Sequence, residues 1–467
     1  MPEPASYKLV IISDLHLSEG WDENGYLSRN EDFFFDQNFK RFLEYFSGEA
    51  KRGGFFYKLI INGDFVDFLQ VVRKDLLERE FKNKRTIDGE KIFNDEVCNL
   101  GFGTGPAKTI WKLKHIVNGH PIFFVALATF LAEGHKVIII PGNHDIEWIM
   151  PNVQEAFRER VNRCLEEYIK KSEPEEFKHL LKESLENRIK ENIHFNPWFY
   201  YDKELSTYIE HGSQYDEINS FDYFLCPCRQ EGTIDLPAGS FFVRYLFNKV
   251  EEDYPFADNM KPLTKFIFWA LCRFRTYRGC PPRILKYLSF FWNILKKTKR
   301  IDKNWAKVLE ENQEAEIKNL PRNSGMCKKK ILKLKKHWVP SAIHKNWCTL
   351  ICSFKNNSKL DRYYYRKKAD GIHQIIGARY VVFGHTHEAD LSLLSETDGK
   401  KNEYINSGTW TKSFAANFEE ALLKSENEFV YVHIGYDTTK KDVKMELLRW
   451  NDSIREGERV RLFKEKT

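Results

Sequence analysis

Short apolar runs recur along the chain and stop abruptly at polar turns. Tyr7 to Ser13, Tyr57 to Asn62, Val137 to Ile140 and Arg379 to Phe383 have this form, the pattern of strands buried in an α/β sheet. Ile193 to Glu210 is aromatic and strand-like and predicts a hairpin, while Tyr404 to Trp410, Glu428 to Tyr436 and Val443 to Trp450 predict closing strands. Between these runs the period lengthens. Asp32 to Phe46 carries Phe33, Phe34, Phe39, Phe42, Leu43 and Phe46 near helical spacing, Lys108 to Leu131 predicts one or two helices, and 151–190 predicts a solvent-facing helix pair. Residues 73–105, charged and then Gly-rich, predict an excursion near a site mouth. From about Ser220 to Asp370 the pattern changes to Pro clusters and aromatics interleaved with Lys and Arg, with no sustained period, and there are no internal repeats.

The polar turns carry the candidate chemistry, because ligands in open α/β sheets bind just past the carboxyl ends of strands. The first run ends in Asp14-Leu15-His16, the second in Gly63-Asp64-Phe65-Val66-Asp67, the third in Pro141-Gly142-Asn143-His144-Asp145, the hairpin in His211-Gly212, and the fifth in Gly384-His385-Thr386-His387. A lone His at a strand end is more often a satisfied core or surface residue. Five such ends in one chain, each after an apolar run, point instead to one shared site. A spacing of one intervening residue in a turn lets Asp14 and His16 address that site together, and likewise His385 and His387. Two divalent ions need a bridging carboxylate with oxygen and imidazole ligands, and this set supplies them.

In these motifs and their order the sequence resembles the calcineurin-like metallophosphoesterase superfamily over roughly 7–216 and 377–450. Ser13-Asp14-Leu15-His16-Leu17 makes it look closest to the branch that includes the UDP-2,3-diacylglucosamine pyrophosphatases. The resemblance implies a four-layer αββα sandwich of two mixed β-sheets flanked by helices. It also implies two metal sites: Asp14, His16, Asp64 and His387 on one ion, and Asp64 as bridge with Asn143, His211 and His385 on the other. The implied reaction is hydrolysis of a phosphodiester or pyrophosphate bond by a metal-bridging hydroxide. His144 would stabilise the transition state or protonate the leaving oxygen, and Asp145 would orient and charge its imidazole. Asp67 is expected either to hydrogen-bond a ligand imidazole or to be a solvated turn carboxylate. Glu147, Gln214, Asp216 and Asn219 are further candidates to line the site. Mixed N/O ligands suit manganese, iron, zinc, nickel or cobalt; the resemblance favours manganese.

Charge divides the chain. Residues 261–370 hold 28 Lys/Arg against 7 Asp/Glu, a net charge near +21, which leaves the remainder near −15 of a total of +6. Three parts are expected: a first core part over 1–219, a basic, aromatic-rich, mainly helical cap inserted at 220–370, and a second core part over 371–467. Within the cap, 261–300 joins segments such as Phe266 to Leu271 and Ile284 to Leu295 to Lys296-Lys297-Thr298-Lys299-Arg300. Such segments suit contact with an anionic membrane, a nucleic-acid groove with stacking aromatics, or a cap whose aromatics form its own core. The contiguous apolar surface favours lipid over nucleic acid. Nine scattered cysteines, the short polar N-terminus and the lack of an 18-residue apolar window predict reduced thiols, a cytoplasmic location and, at most, membrane association. A metal-dependent nuclease and a non-catalytic scaffold of the same fold are the competing functions; the complete ligand set weighs against the scaffold.

Overall fold

A computed structural model describes residues 6–81, 86–87, 90–91, 101–171, 185–229, 232–248, 260–261, 301–341, 347–411, 414–415, 429–453 and 456–459. Two mixed sheets face each other. The larger runs Glu456–Arg459, Asp442–Asn451, Val430–Asp437, Tyr7–Ile12, Phe56–Asn62, Lys136–Ile140, Ile193–Phe195. Its last four strands are parallel and its first three antiparallel. The smaller runs Ala389–Thr397, Lys400–Ser407, Tyr380–Phe383, Thr207–Glu210, Phe199–Asp202, with parallel pairing at Tyr380–Phe383 and antiparallel hairpins at both edges.

Strand alternation builds the layers. Leu9, Ile11, Ile60, Ile138, Ile140, Val432 and Ile434 of the larger sheet meet Ile209, Tyr380, Val382 and Ile405 of the smaller in one dry layer. The alternate residues Val10, Ile12, Leu59, Ile61, Val137 and Ile139 face the opposite way, into the helices. Asp36–Gly53 buries Phe39, Phe42, Leu43 and Phe46 there and stops at Gly54 in the left-handed region. On the far side, Trp347–Ile376 covers the smaller sheet, with Tyr365, Ala369, Ile372 and Ile376 buried. This is the expected α/β sandwich of two mixed sheets with flanking helices.

Several elements differ from the expectation. The first helix starts at Asp36, because Glu31 caps the Phe33 amide (2.7 Å) and keeps the chain before it out of helix. The 193–210 stretch divides: Ile193–Phe195 joins the larger sheet and only Phe199–Asp202 and Thr207–Glu210 form a hairpin. Lys108 to Leu131, expected to hold one or two helices, holds two, Pro106–Gly119 and Pro121–Ala132, bent by 94° at His120; no single described helix is long and apolar enough to cross a membrane. Of the stretch assigned to membrane contact, 262–300 lies outside the described residues.

The bend places His120 between two buried acids. One ring nitrogen lies 3.0 Å from Glu31 and the other 3.1 Å from Asp36. Glu31 also accepts the Ser18 and Gly20 amides (3.0 and 2.7 Å), which anchors the loop that follows Asp14 and His16. Burial opposes a charge on His120, yet Glu31 and Asp36 raise its pKa from 6.5 to about 10. Removing the imidazole strands both carboxylates, so His120→Ala is expected to lower unfolding free energy by about 3–5 kcal/mol in urea melts near neutral pH. A pKa raised by folding stabilises fully below pH 6.5 and loses that contribution as pH climbs through about 10. The stability gap between wild type and His120→Ala should therefore narrow over that window; a constant gap would contradict a charged His120.

Candidate metal centre

The parallel strands Tyr7–Ile12, Phe56–Asn62 and Lys136–Ile140 deliver Asp14, Asp64 and Asn143 to one edge, and Thr207–Glu210 and Tyr380–Phe383 deliver His211 and His385 from the opposing sheet. Backbone bonds hold the turns in register. The Asp14 amide donates to Gly63 O (3.1 Å), the Leu15 and His16 amides to Asp64 O (both 2.9 Å), and the Gly384 amide to His211 O (3.0 Å). The sheets are tied across the gap by His211 Nδ1 on Asn62 O (2.8 Å), Asn62 Nδ2 on Glu210 O (2.9 Å) and Thr409 Oγ1 on Asp14 O (2.8 Å).

The backbone pays for this convergence. Asp14, His16, Asp64, His385 and His387 have φ of 55°, 50°, 48°, 69° and 60°, five of the eight non-glycine positive-φ residues among those described. Left-handed backbone costs a non-glycine residue on the order of 1–2 kcal/mol, and strain of this kind clusters at functional sites.

The donor atoms are grouped as a cation would require. His16 Nε2 lies 3.1 Å from His387 Nε2 and 3.8 Å from Asp64 Oδ2, and His387 Nε2 lies 3.3 Å from Asp14 Oδ1. Asp64 Oδ2 is also 3.1 Å from His211 Nε2, so one carboxylate oxygen stands between two imidazoles from different sheets. His211 donates through Nδ1 to a carbonyl, which leaves Nε2 as a lone pair aimed at an acceptor; both Nε2 and Asn143 Oδ1 are buried without a hydrogen-bond partner. Asp14, His16 and His387 form one group able to hold a metal ion, and Asp64, His211 and His385 another.

The electrostatics agree. Burial would raise the carboxyl pKa values, but the adjoining imidazoles hold Asp64 well below the carboxylate range and Asp14 down to about 2. Burial would lower that of His211, but Asp64 pulls it up to about 9. The centre demands positive charge, as proton or as metal, and its mixed N/O donors fit a divalent ion.

Two assignments change in three dimensions. Asp145, expected to orient His144, commits Oδ1 to the Gly142 amide (2.6 Å) and Oδ2 to the Phe65 amide (2.7 Å) and Trp148 Nε1 (3.0 Å). It braces the second and third turns against each other. The carboxylate on His144 Nδ1 is that of Asp67, at 2.5 Å; Asp67 is fully buried, not solvated, and lies 3.7 Å from His16 Nδ1. Of the further candidates, Gln214 binds the Phe221 backbone (2.7 and 3.0 Å) and Glu147 is buried, its pKa raised to about 7 by burial, whereas Asp216 and Asn219 reach His385 and Asn143. Ser240, which donates to Asn143 O (2.9 Å), and Tyr365, whose ring lies 6.2 Å from that of His385, come from the aperiodic segment and had no signal in the sequence.

Residues 7–231 match the family described as calcineurin-like phosphoesterase, a likeness that points to metal-dependent phosphoester hydrolysis. No curated protein matches the chain. The match ends before His385 and His387, which the pairing of Tyr380–Phe383 with Thr207–Glu210 returns to the site.

Two glycines leave room for the donors. A Cβ on Gly63 would overlap the His211 ring, and one on Gly142 would overlap Asp64 Oδ1 and lie 2.6 Å from the Asp64 nitrogen. Gly63→Ala and Gly142→Ala are each expected to weaken metal binding by at least about tenfold with the fold retained, measured by calorimetric titration of metal-stripped protein with Mn²⁺.

Proposed function

We propose that this calcineurin-like phosphoesterase hydrolyses a phosphodiester or pyrophosphate bond with two divalent ions, manganese being the favoured metal. The single observation that carries this reading is Asp64 Oδ2, poised between His16 Nε2 at 3.8 Å and His211 Nε2 at 3.1 Å, where a bridging carboxylate belongs. Asp14, His16 and His387 with Asp64 would hold one ion, and Asn143, His211 and His385 with Asp64 the other. Bound there, the ions would lower the pKa of a coordinated water and polarise the phosphoryl oxygens.

The chain's own residues supply the rest. His144 lies at the rim, its ring 4.7 Å from that of His16 and its amide on Asp64 Oδ1 at 2.9 Å. With Nδ1 donating to Asp67, the proton that His144 gives to the leaving oxygen has to come from Nε2. Asp67 fixes that tautomer and stabilises the imidazolium. Asp145 acts one step back, by fixing the loop that carries both Asn143 and His144. A neutral Asn143 limits the negative charge around the ions and leaves them electrophilic.

The test is turnover of bis-p-nitrophenyl phosphate by Mn²⁺-loaded protein. Asp64→Ala and His211→Ala are expected to remove activity together with a bound ion. His144→Ala and Asp67→Asn are expected to keep both ions and lower kcat by about 10²–10⁴. Unchanged turnover in Asp64→Ala and His211→Ala would refute this site as the centre of hydrolysis, and no turnover by metal-loaded wild type on any phosphate ester would leave a binding scaffold. A panel of phosphomonoesters, phosphodiesters, pyrophosphates and single-stranded DNA then separates a small-ester or pyrophosphate hydrolase from a nuclease.

A further inference from the structure

Asn143 and His385 each have to turn the right atom toward a cation, as the Asn62 carbonyl makes His211 do. Asn143 has an amide whose two ends are nearly the same shape, and only the oxygen binds a cation. His385 has two nitrogens, and only the one without a proton does. Something must set the polarity of each.

One carboxylate is placed to do both. Asp216 Oδ2 accepts from Asn219 Nδ2 at 2.8 Å and faces His385 Nε2 at 3.3 Å. Asn219 Oδ1 in turn lies 3.4 Å from Asn143 Nδ2. A carboxylate can only accept, so the direction of every bond follows from Asp216. Asn219 must point its NH₂ at Asp216, hence its oxygen at Asn143. Asn143 must point its NH₂ at Asn219, hence its oxygen away, and that Oδ1 is the one buried without a partner. His385 must carry its proton on Nε2, hence its lone pair on Nδ1. We propose that Asp216, acting in part through Asn219, is a positioning residue that sets the polarity of two ligands of the second metal ion, Asn143 and His385, and none of the first. This rests on the two-ion reading above.

The bracket is built rather than incidental. Asp216 Oδ1 caps the Ile218 amide (2.9 Å), and its carbonyl accepts the Asn219 and Ser220 amides (3.0 and 2.7 Å), so its side chain starts from a fixed turn. Ala238–Phe242 closes behind it: a Cβ on Gly239 would overlap Asn219 Oδ1, and Ser240 holds the Asn143 carbonyl. The first ion's group draws on neither residue.

The experiment loads metal-stripped full-length protein with Mn²⁺, counting ions by elemental analysis and calorimetry and reading paramagnetic resonance for a coupled pair against an isolated ion. Wild type is expected to bind two ions with a coupled spectrum. Asp216→Asn, whose amide can donate as well as accept, is expected to keep the first ion, weaken the second by about 10–100-fold and show an isolated-ion spectrum, with the coupled spectrum recovered at high Mn²⁺. Asn219→Ala should weaken the second ion less, since His385 keeps its partner. Native affinity for both ions in Asp216→Asn, or equal loss of both with an unchanged metal-free melting temperature, overturns the proposal. If Asp216→Asn does not fold, native second-ion affinity in Asn219→Ala overturns it. Fewer than two ions in wild type fails the two-ion reading instead.

Discussion

The constraint on which the rest depends is that lone pairs face lone pairs at the edge of the sandwich. Asp64 presents one oxygen to His16 and His211, and His387 stands against both His16 and Asp14, at 3.1 to 3.8 Å. Protein atoms alone satisfy this arrangement only by taking up protons, which is why the pKa of His211 is pulled up to about 9 and that of Asp14 down to about 2 against the opposite effect of burial. A divalent cation satisfies it directly. The left-handed backbone at five of the donors is the cost of the same demand, because each strand must turn within one or two residues to aim its side chain inward.

That cost is met away from the site. Two layers of alternating Ile, Val and Leu make the strands rigid, and buried carboxylates lock the turns. Asp145 binds amides from two turns, Glu31 binds the loop after His16, and His120 neutralises Glu31. The glycines act by vacancy: Gly63 and Gly142 let His211 and Asp64 stand where side chains would otherwise be. A change in any of these moves donors it does not touch, since a site held to tenths of an ångström has no slack.

Much of this was legible in the sequence, and the limits follow from which forces are local. A buried strand announces itself by a run of apolar residues, so Tyr7–Ile12, Phe56–Asn62, Lys136–Ile140 and Tyr380–Phe383 and the polar turns after them were found. Ala389–Thr397 was missed because it is a half-exposed edge strand whose few Leu residues are interspersed with Ser and bounded by Asp390 and Glu396, so no apolar run marks it. Trp347–Ile376 was missed because a helix packed on one side by Tyr365, Ala369, Ile372 and Ile376 and studded with cations elsewhere shows only a weak period. The exchange of roles between Asp145 and Asp67 has a different origin. Adjacency in sequence suggested that Asp145 serves His144, but neighbours in a tight turn diverge, and Asp145 turns back to its own loop. The residue three past Asp64, carried over by the neighbouring strand, arrives at the imidazole instead.

The charge division of the chain meets the same geometry at one point. The site is crowded with carboxylates: Asp14, Asp64, Asp67, Asp145, Glu147 and Asp216, all but Asp216 at most 2% exposed. Two dications bound there would compensate them at contact range, while the field of the carboxylates themselves reaches roughly a Debye length into solvent, about 8 Å at physiological salt. Trp347–Ile376 brings Arg362, Arg366, Lys367 and Lys368 along the helix whose Tyr365 lies beside His385, and Lys368 stands over the Tyr215 ring at 5.5 Å. Arg362 is paired with Glu388 (3.3 Å), while Arg366 and Lys368 hold the carbonyls of Leu393 and His337 (2.7 and 2.8 Å), so these side chains also pin the helix to its surroundings. In a chain of net charge +6, buried carboxylates at the strand ends thus stand next to a helix rich in cations, and Tyr365 is the point where the two meet at His385.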